Sequence, residues 1–133
     1  MIKLINISEA ATIALQSMIV IARSKGSLNI DSLSKKTGHS RNHTAKIMSI
    51  LAKSDYLSSE RGPNGGFVLK RKAEDISLLE LYELIDGKIT ITECNNNCRQ
   101  CPIKSCIFGD LTQKFITDFR NYLSSHTINT VSI

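Results

Sequence analysis

The sequence predicts a mainly α-helical chain carrying one small β-hairpin, and three stretches predict it. Apolar residues recur at helical spacing through the first fifty positions. A glycine-rich run with one proline separates two short strand-like segments. An aromatic stripe marks a further long helix beyond residue 110. At 133 residues there is material for one respectable core.

Taken in order, Ala11, Ala14, Leu15, Met18 and Ala22 place a helix over residues 8–24, with Ser8 as its N-cap. Ile13, Ile19, Val20 and Ile21 widen its apolar surface, so this helix is expected to be buried on more than one side. Glu9 lies in the first turn, where a carboxylate complements the helix dipole. Asn29 caps a second helix that runs to Thr37, buries Ile30 and Leu33, and is broken by Gly38. Ser40 caps a third, with Ile47, Ile50 and Leu51 marking its inner face as far as Asp55. Two helices joined by a tight glycine turn form a helix-turn-helix pattern, whose second helix is the reader.

Opposite Ile47 the reader helix carries Asn42, Ala45 and Ser49, flanked by Arg41 and Lys46. These side chains suit nucleic acid. Arg41 offers a planar fork for guanine, Asn42 can pair with adenine, and Lys46 is a point charge for phosphate. His43 falls on the inner side and reads as packing or capping. The strand-like runs 56–60 and 67–70 flank Arg61-Gly62-Pro63-Asn64-Gly65-Gly66, whose glycines and asparagine supply the backbone freedom of a tight hairpin. A hairpin directly after a reader helix makes a winged helix-turn-helix, with Arg61 at the tip able to enter a minor groove. The run does not read as a nucleotide-phosphate loop, because no Walker lysine or helix start follows the glycines.

Charge divides the chain. Through Lys72 there are twelve Lys and Arg against four Asp and Glu, while the remainder has five against eight. The basic part is where a polyanion would bind. The expected organisation is a DNA-binding region over 1–72 and a sensor and dimerisation region over 73–133. In the second region Ser77 and Glu80 form a capping box, with Ile76 and Leu81 as its hydrophobic staple. That helix buries Leu78, Leu81 and Ile85 and stops at Gly87, read as a left-handed cap. Leu111, Phe115, Phe119, Tyr122 and Leu123 then mark a long C-terminal helix. Its three aromatics exceed what one small domain can cover, so a homodimer is expected. The segment 126–133 has no chemistry legible in its residues.

All four cysteines fall within Cys94-Asn-Asn-Asn-Cys98-Arg-Gln-Cys101-Pro-Ile-Lys-Ser-Cys106. Glu9, Thr12, Gln16 and Ser17 interrupt the first apolar run, which argues against an export signal or membrane span and for the reducing cytoplasm. There, clustered thiols bind metal or carry redox chemistry more often than they form structural disulfides. Spacing leaves zinc, an iron-sulfur cluster and bare redox thiols open, since the gaps of three, two and four residues fit neither paired zinc turns nor a complete ferredoxin run.

The run R-G-P-N-G-G-F-V-L-K-R, the following A-E-D-I-S-L-L-E-L-Y-E-L-I-D-G and the cysteine loop resemble, in that order, the bacterial winged-helix regulators that carry iron-sulfur clusters. That family includes the regulator of iron-sulfur cluster assembly and the nitric-oxide-sensing repressor. The reader segment S-R-N-H-T-A-K-I is most similar to the nitric-oxide-sensing branch. The resemblance covers nearly the whole chain. It implies a dimeric repressor on a double-stranded DNA operator, contacted by Ser40, Arg41, Asn42 and Lys46 and by Arg61, Gly62, Asn64 and Gly65 of the wing. It also implies a 4Fe-4S or 2Fe-2S cluster on Cys94, Cys106 and one middle cysteine, Cys101 ahead of Cys98. Glu9 of the partner subunit is the candidate fourth ligand, where the family pattern has Asp. Zinc remains the alternative metal. The rival class, an electron-transfer or metal-carrier protein, has no use for the wing or for the outward Arg41, Asn42 and Lys46; an enzyme fits less well still.

Overall fold

The computed structural model describes residues 6–90 and 101–131. Helices α1 (Glu9–Arg23), α2 (Ile30–Thr37) and α3 (Arg41–Lys53) come first. A hairpin of β1 (Leu57–Glu60) and β2 (Gly66–Leu69), helix α4 (Leu78–Asp86) and helix α5 (Leu111–Ser125) follow. A single 3-10 turn, Ala73–Asp75, joins the hairpin to α4.

Helix α1 is the central post, and its neighbours α2, α3, β2 and α4 pack around it. Its residues Ala11, Ile13, Ala14, Ser17, Met18 and Ile21 are buried, which is why its apolar surface runs beyond a single stripe. The Ser8 hydroxyl caps it by accepting from the Ala11 N–H at 3.0 Å. Helix α2 is capped by Asn29 and ends at Gly38, whose φ of 77° is the left-handed conformation that a side chain resists.

On α3 the buried residues are Thr44, Ile47, Met48 and Leu51. Ile50, expected on the inner face, is 40% exposed. At about 100° per residue it lies beyond Ile47 on the side away from Thr44 and Met48, so it sits at the edge of the buried stripe. The helix ends two residues earlier than Asp55, which itself takes a left-handed φ of 66° as the chain turns into the hairpin.

The strands pair antiparallel from Leu57 opposite Leu69 to Glu60 opposite Gly66. A contact the sequence does not announce adds a third short edge: Leu28 and Phe67 exchange backbone hydrogen bonds at 3.1 and 2.8 Å. Gly66 permits this approach, because a Cβ there would stand 2.5 Å from the Leu28 carbonyl carbon and oxygen.

Helix α4 carries both halves of the expected capping box. The Glu80 N–H donates to the Ser77 hydroxyl at 3.1 Å, and the Ser77 N–H donates to the Glu80 carboxylate at 2.9 Å. Its staple residues Ile76 and Leu81 are both fully buried, worth about 1.5–3 kcal/mol each. Gly87 does end the helix, but its φ of 88° pairs with a ψ of 167°, so it is an extended glycine-only conformation and not a left-handed cap. The Ile89 N–H then donates to the Glu83 carboxylate at 3.0 Å and turns the chain away.

Helix α5 buries Ile116 and Leu123, and Phe119 meets Tyr82 of α4 edge-on at 5.5 Å. Leu111, Phe115 and Tyr122 are 49%, 48% and 56% exposed. The segment after α5 is structural. Ile128 is fully buried and its N–H donates to the Ile76 carbonyl at 3.1 Å, while Arg23 of α1 donates to the carbonyls of Asn129 and Val131 at 2.9 and 2.8 Å. One cluster of buried side chains thus draws on α1, α2, α3, β1, α4 and α5, with Ile76 and Ile128. Among the described residues, no helix is long and apolar enough to cross a membrane.

Candidate nucleic-acid interface and cysteine loop

The start of α3 is set by Ser40, whose hydroxyl accepts from the His43 N–H at 3.2 Å. That cap fixes which residues of the first turn stand clear. Ser40, Arg41, Asn42 and Lys46 are all exposed, and the buried Thr44, Ile47, Met48 and Leu51 hold the opposite side against the core. Among the described residues, neither Lys46 nor Arg61 has an ion-pair partner. Arg41 does have one: its Nε lies 2.5 Å from the Oδ1 of Asp31, in the first turn of α2.

Arg61, Gly62, Pro63 and Asn64 form the exposed tip of the hairpin. Gly62 has a φ of 111°, and the Gly65 N–H closes the turn onto the Gly62 carbonyl at 2.9 Å. A Cβ on Gly65 would meet the Glu60 carbonyl at 2.5 Å, so the tip is glycine by necessity. Two anchors fix the hairpin to the body: the Leu28–Phe67 pairing, and the Ser27 hydroxyl donating to the Asn64 carbonyl at 2.6 Å.

A third anchor holds the hairpin's base to α4. The Tyr56 hydroxyl donates to Glu80 at 2.9 Å, Arg71 reaches the same oxygen at 3.0 Å, and the Arg71 guanidinium lies 5.1 Å from the Tyr56 ring centre. Burial would raise the Glu80 pKa, but donation from the Ser77 backbone, Tyr56 and the Ser77 hydroxyl, with the Arg71 charge, holds it below its ordinary value. Burial first, then the hydrogen bond to Glu80 and its charge, pushes the Tyr56 phenol up, so it stays a donor.

Glu9 lies against its own helix-turn-helix unit. Its carboxylate is 3.7 Å from His39 Nδ1 and 3.9 Å from His43 Nδ1, and His39 Nε2 is 2.9 Å from the Gln16 side-chain oxygen. His43, expected to pack or cap, thus also meets a carboxylate that lies far from it in sequence. The start of α1 is also tied to the end of α4. Asp86 accepts from the Ser8 N–H at 3.0 Å and from the Ser8 hydroxyl, and the Tyr82 hydroxyl donates to the Asn6 carbonyl at 2.6 Å.

Cys94 and Cys98 lie outside the described residues. Cys101 and Cys106 are exposed free thiols. After Cys106, Gly109 at φ 59° donates its N–H to the Cys106 carbonyl at 3.0 Å, and α5 starts two residues later. No group of three potential metal-binding side chains is assembled among the described residues. The donor set still suits soft thiophilic metals, with the exposed thiols of Cys101 and Cys106 and two further cysteines earlier in the sequence.

A family model described as an iron-dependent transcriptional regulator, Rrf2, matches residues 7–132. An HTH-type transcriptional regulator of Neisseria meningitidis is 21% identical over 106 residues, 80% of this chain and 72% of that protein. The HTH-type transcriptional regulator IscR of Pectobacterium atrosepticum is 25% identical over 111 residues, 80% of this chain. The aligned part spans 66% of that IscR. Among solved structures, the global cysteine regulator CymR of B. subtilis superposes with a TM-score of 0.79 at 22% identity, covering 94% of each chain. The IscR of T. potens does so at 0.71 and 19%, covering 94% of this chain and 84% of that one. These likenesses share the helix-turn-helix and its hairpin, and with the family match across almost the whole sequence they lead to one conclusion: this chain is a winged-helix transcriptional regulator belonging to the Rrf2 family.

Proposed function

We propose that this regulator acts as a homodimer on a double-stranded DNA operator, as a repressor, and that its cysteine loop holds an iron-sulfur cluster reporting nitric oxide, oxidant or iron supply. The observation that carries the DNA reading is the exposed first turn of α3 standing beside a wing anchored at its tip, its second strand and its base. Arg41 and Asn42 read base edges, Ser40 and Lys46 meet phosphate, and Arg61 enters the adjacent minor groove. Gly62, Asn64 and Gly65 let the wing backbone approach the duplex closely.

Cys94, Cys101 and Cys106 are the residues that would hold the cluster, with Cys98 as the other candidate for the middle place and Glu9 of the partner subunit as the candidate fourth ligand. When bound, the cluster supplies a centre that reacts with nitric oxide and oxidants. The chain's own residues supply the link to DNA. The loop leaves the end of α4, where Asp86 and Tyr82 are bonded to the start of α1, and Glu9 in that first turn faces His43 on α3. A change in the loop would reach the start of α1 through covalent and hydrogen-bonded links, and the reader helix through the 3.9 Å contact of Glu9 with His43.

The fold likeness to a cysteine regulator, together with the exposed Cys101 and Cys106, favours a second reading: a thiol-based regulator without a cluster. Anaerobic purification with an absorption spectrum, iron and sulfide assays and operator titrations separates the two. The cluster reading expects iron and sulfide, with operator affinity about tenfold weaker after nitric oxide treatment. The thiol reading expects metal-free protein whose affinity follows its disulfide state. Equal affinity in every state sinks both. Cys101→Ser should lose the cluster and Cys98→Ser keep it; the reverse pattern would reassign the middle ligand.

A further inference from the structure

Asp31 was not among the residues that the sequence pattern singled out, yet it makes the contact that fixes Arg41. Its Oδ1 lies 2.5 Å from Arg41 Nε, and both side chains are exposed, at 62% and 67%. An exposed pair of this kind contributes little to folding. Helix α2 is already held by its Asn29 cap, its Gly38 stop and the fully buried Leu33. The pair therefore has no evident structural duty, although an acidic residue in the first turn does complement the helix dipole.

Its geometry is informative. The contact uses Nε, which leaves the two Nη groups for other partners. A guanidinium reads guanine through two N–H groups matched to O6 and N7, and its planar fork can be held from behind without losing that edge. The carboxylate also makes a locally neutral pair, so on a sequence-independent site, where affinity comes from lysine and arginine neutralising phosphates, Arg41 counts for little.

We propose that Asp31 is a specificity-determining positioning residue: it clamps Arg41 so that the outer edge of the guanidinium meets a guanine, and its charge penalises docking on phosphate alone. The proposal rests on the reading of α3 as the base-reading helix. Asp31 thereby raises discrimination at the expense of total affinity. Neutralising it frees Arg41 to turn toward the nearest phosphate and removes a negative charge from beside the DNA.

The test uses the full chain, a duplex selected by the native protein from a random-sequence library, and a scrambled duplex of equal length. Anisotropy titrations over a range of salt are made for the native chain, Asp31→Asn, Arg41→Ala and the double variant. Asp31→Asn should lower the selected-to-scrambled affinity ratio about fivefold, and steepen the salt slope on scrambled DNA by about one unit. Its thermal midpoint should stay near that of the native chain. In the Arg41→Ala background the same change should leave the ratio within about twofold. An unchanged ratio and slope for Asp31→Asn, while Arg41→Ala loses discrimination, would overturn the clamp but keep the base-reading helix. A loss of equal size with and without Arg41 would also overturn it, since the effect would then be one of general charge or of α2 stability. If Arg41→Ala itself keeps full discrimination, the base-reading role of Arg41 fails and the clamp fails with it.

Discussion

Neighbouring exposed side chains on one helix turn can do different work, and Asn42 and Lys46 illustrate how to tell. A side-chain amide that pairs with adenine is lost only on the right sequence, whereas an ammonium against phosphate is lost on every sequence. Asn42→Ala should therefore cost about 1–3 kcal/mol on selected DNA and almost nothing on a scrambled duplex. Lys46→Ala should weaken both alike and lower the salt slope by about one unit. Titrations at four or more salt concentrations check both, and interchanged behaviour would swap the two roles. These residues were legible because helical period and the Ser40 cap are local properties of the chain. The Asp31–Arg41 pair and the approach of Glu9 to His39 and His43 were not, since both depend on how separate helices come to rest.

Among the elements, α4 and the hairpin are joined through one carboxylate. Glu80 closes the α4 capping box, accepts from Tyr56 before β1, and pairs with Arg71 after β2. Its pKa is held below the ordinary 4.5 in the folded chain. A carboxylate with a depressed folded pKa contributes stability that is fully present above its unfolded pKa and is lost as pH falls through the folded value. Glu80→Gln should therefore be less stable than the native chain at pH 7, and the gap should narrow as pH is lowered below about 4. Urea midpoints at pH 7 and pH 3 measure this; a gap that is constant with pH would mean that Glu80 acts by shape alone. The capping box and staple were written in adjacent residues and so could be read in advance. Gly87 was recognised as a stop but not as an extended one, because the residue type permits both conformations.

At the scale of the whole molecule, α5 presents Leu111, Phe115 and Tyr122 to solvent while Ile116 and Leu123 face inward. With Ile103, Ile107 and Phe108 exposed just before the helix, the apolar surface extends along one end of the chain. Surfaces of this kind are stable when covered, and a second copy is the economical cover. Phe115→Asp should shift sedimentation toward the protomer and weaken operator binding, without lowering the helical signal. An unchanged sedimentation coefficient across the working concentration range would remove α5 from the proposed dimer contact. The aromatic periodicity made this face visible in the sequence. What remained hidden was the segment after it, whose polar residues give no hint that Ile128 enters the core.

That buried isoleucine sets an order of events during synthesis. Ile128 is packed in the same core as Ile76 and donates its N–H to the Ile76 carbonyl, and Arg23 donates to the carbonyls of Asn129 and Val131. A nascent chain that has released only its reader helix and wing leaves the flank of α1 and the start of α4 open, with the two hydrogen bonds donated by Arg23 Nη2 unmade. The fold around α1 and α4 is therefore complete only once residues 128 to 131 have left the ribosome.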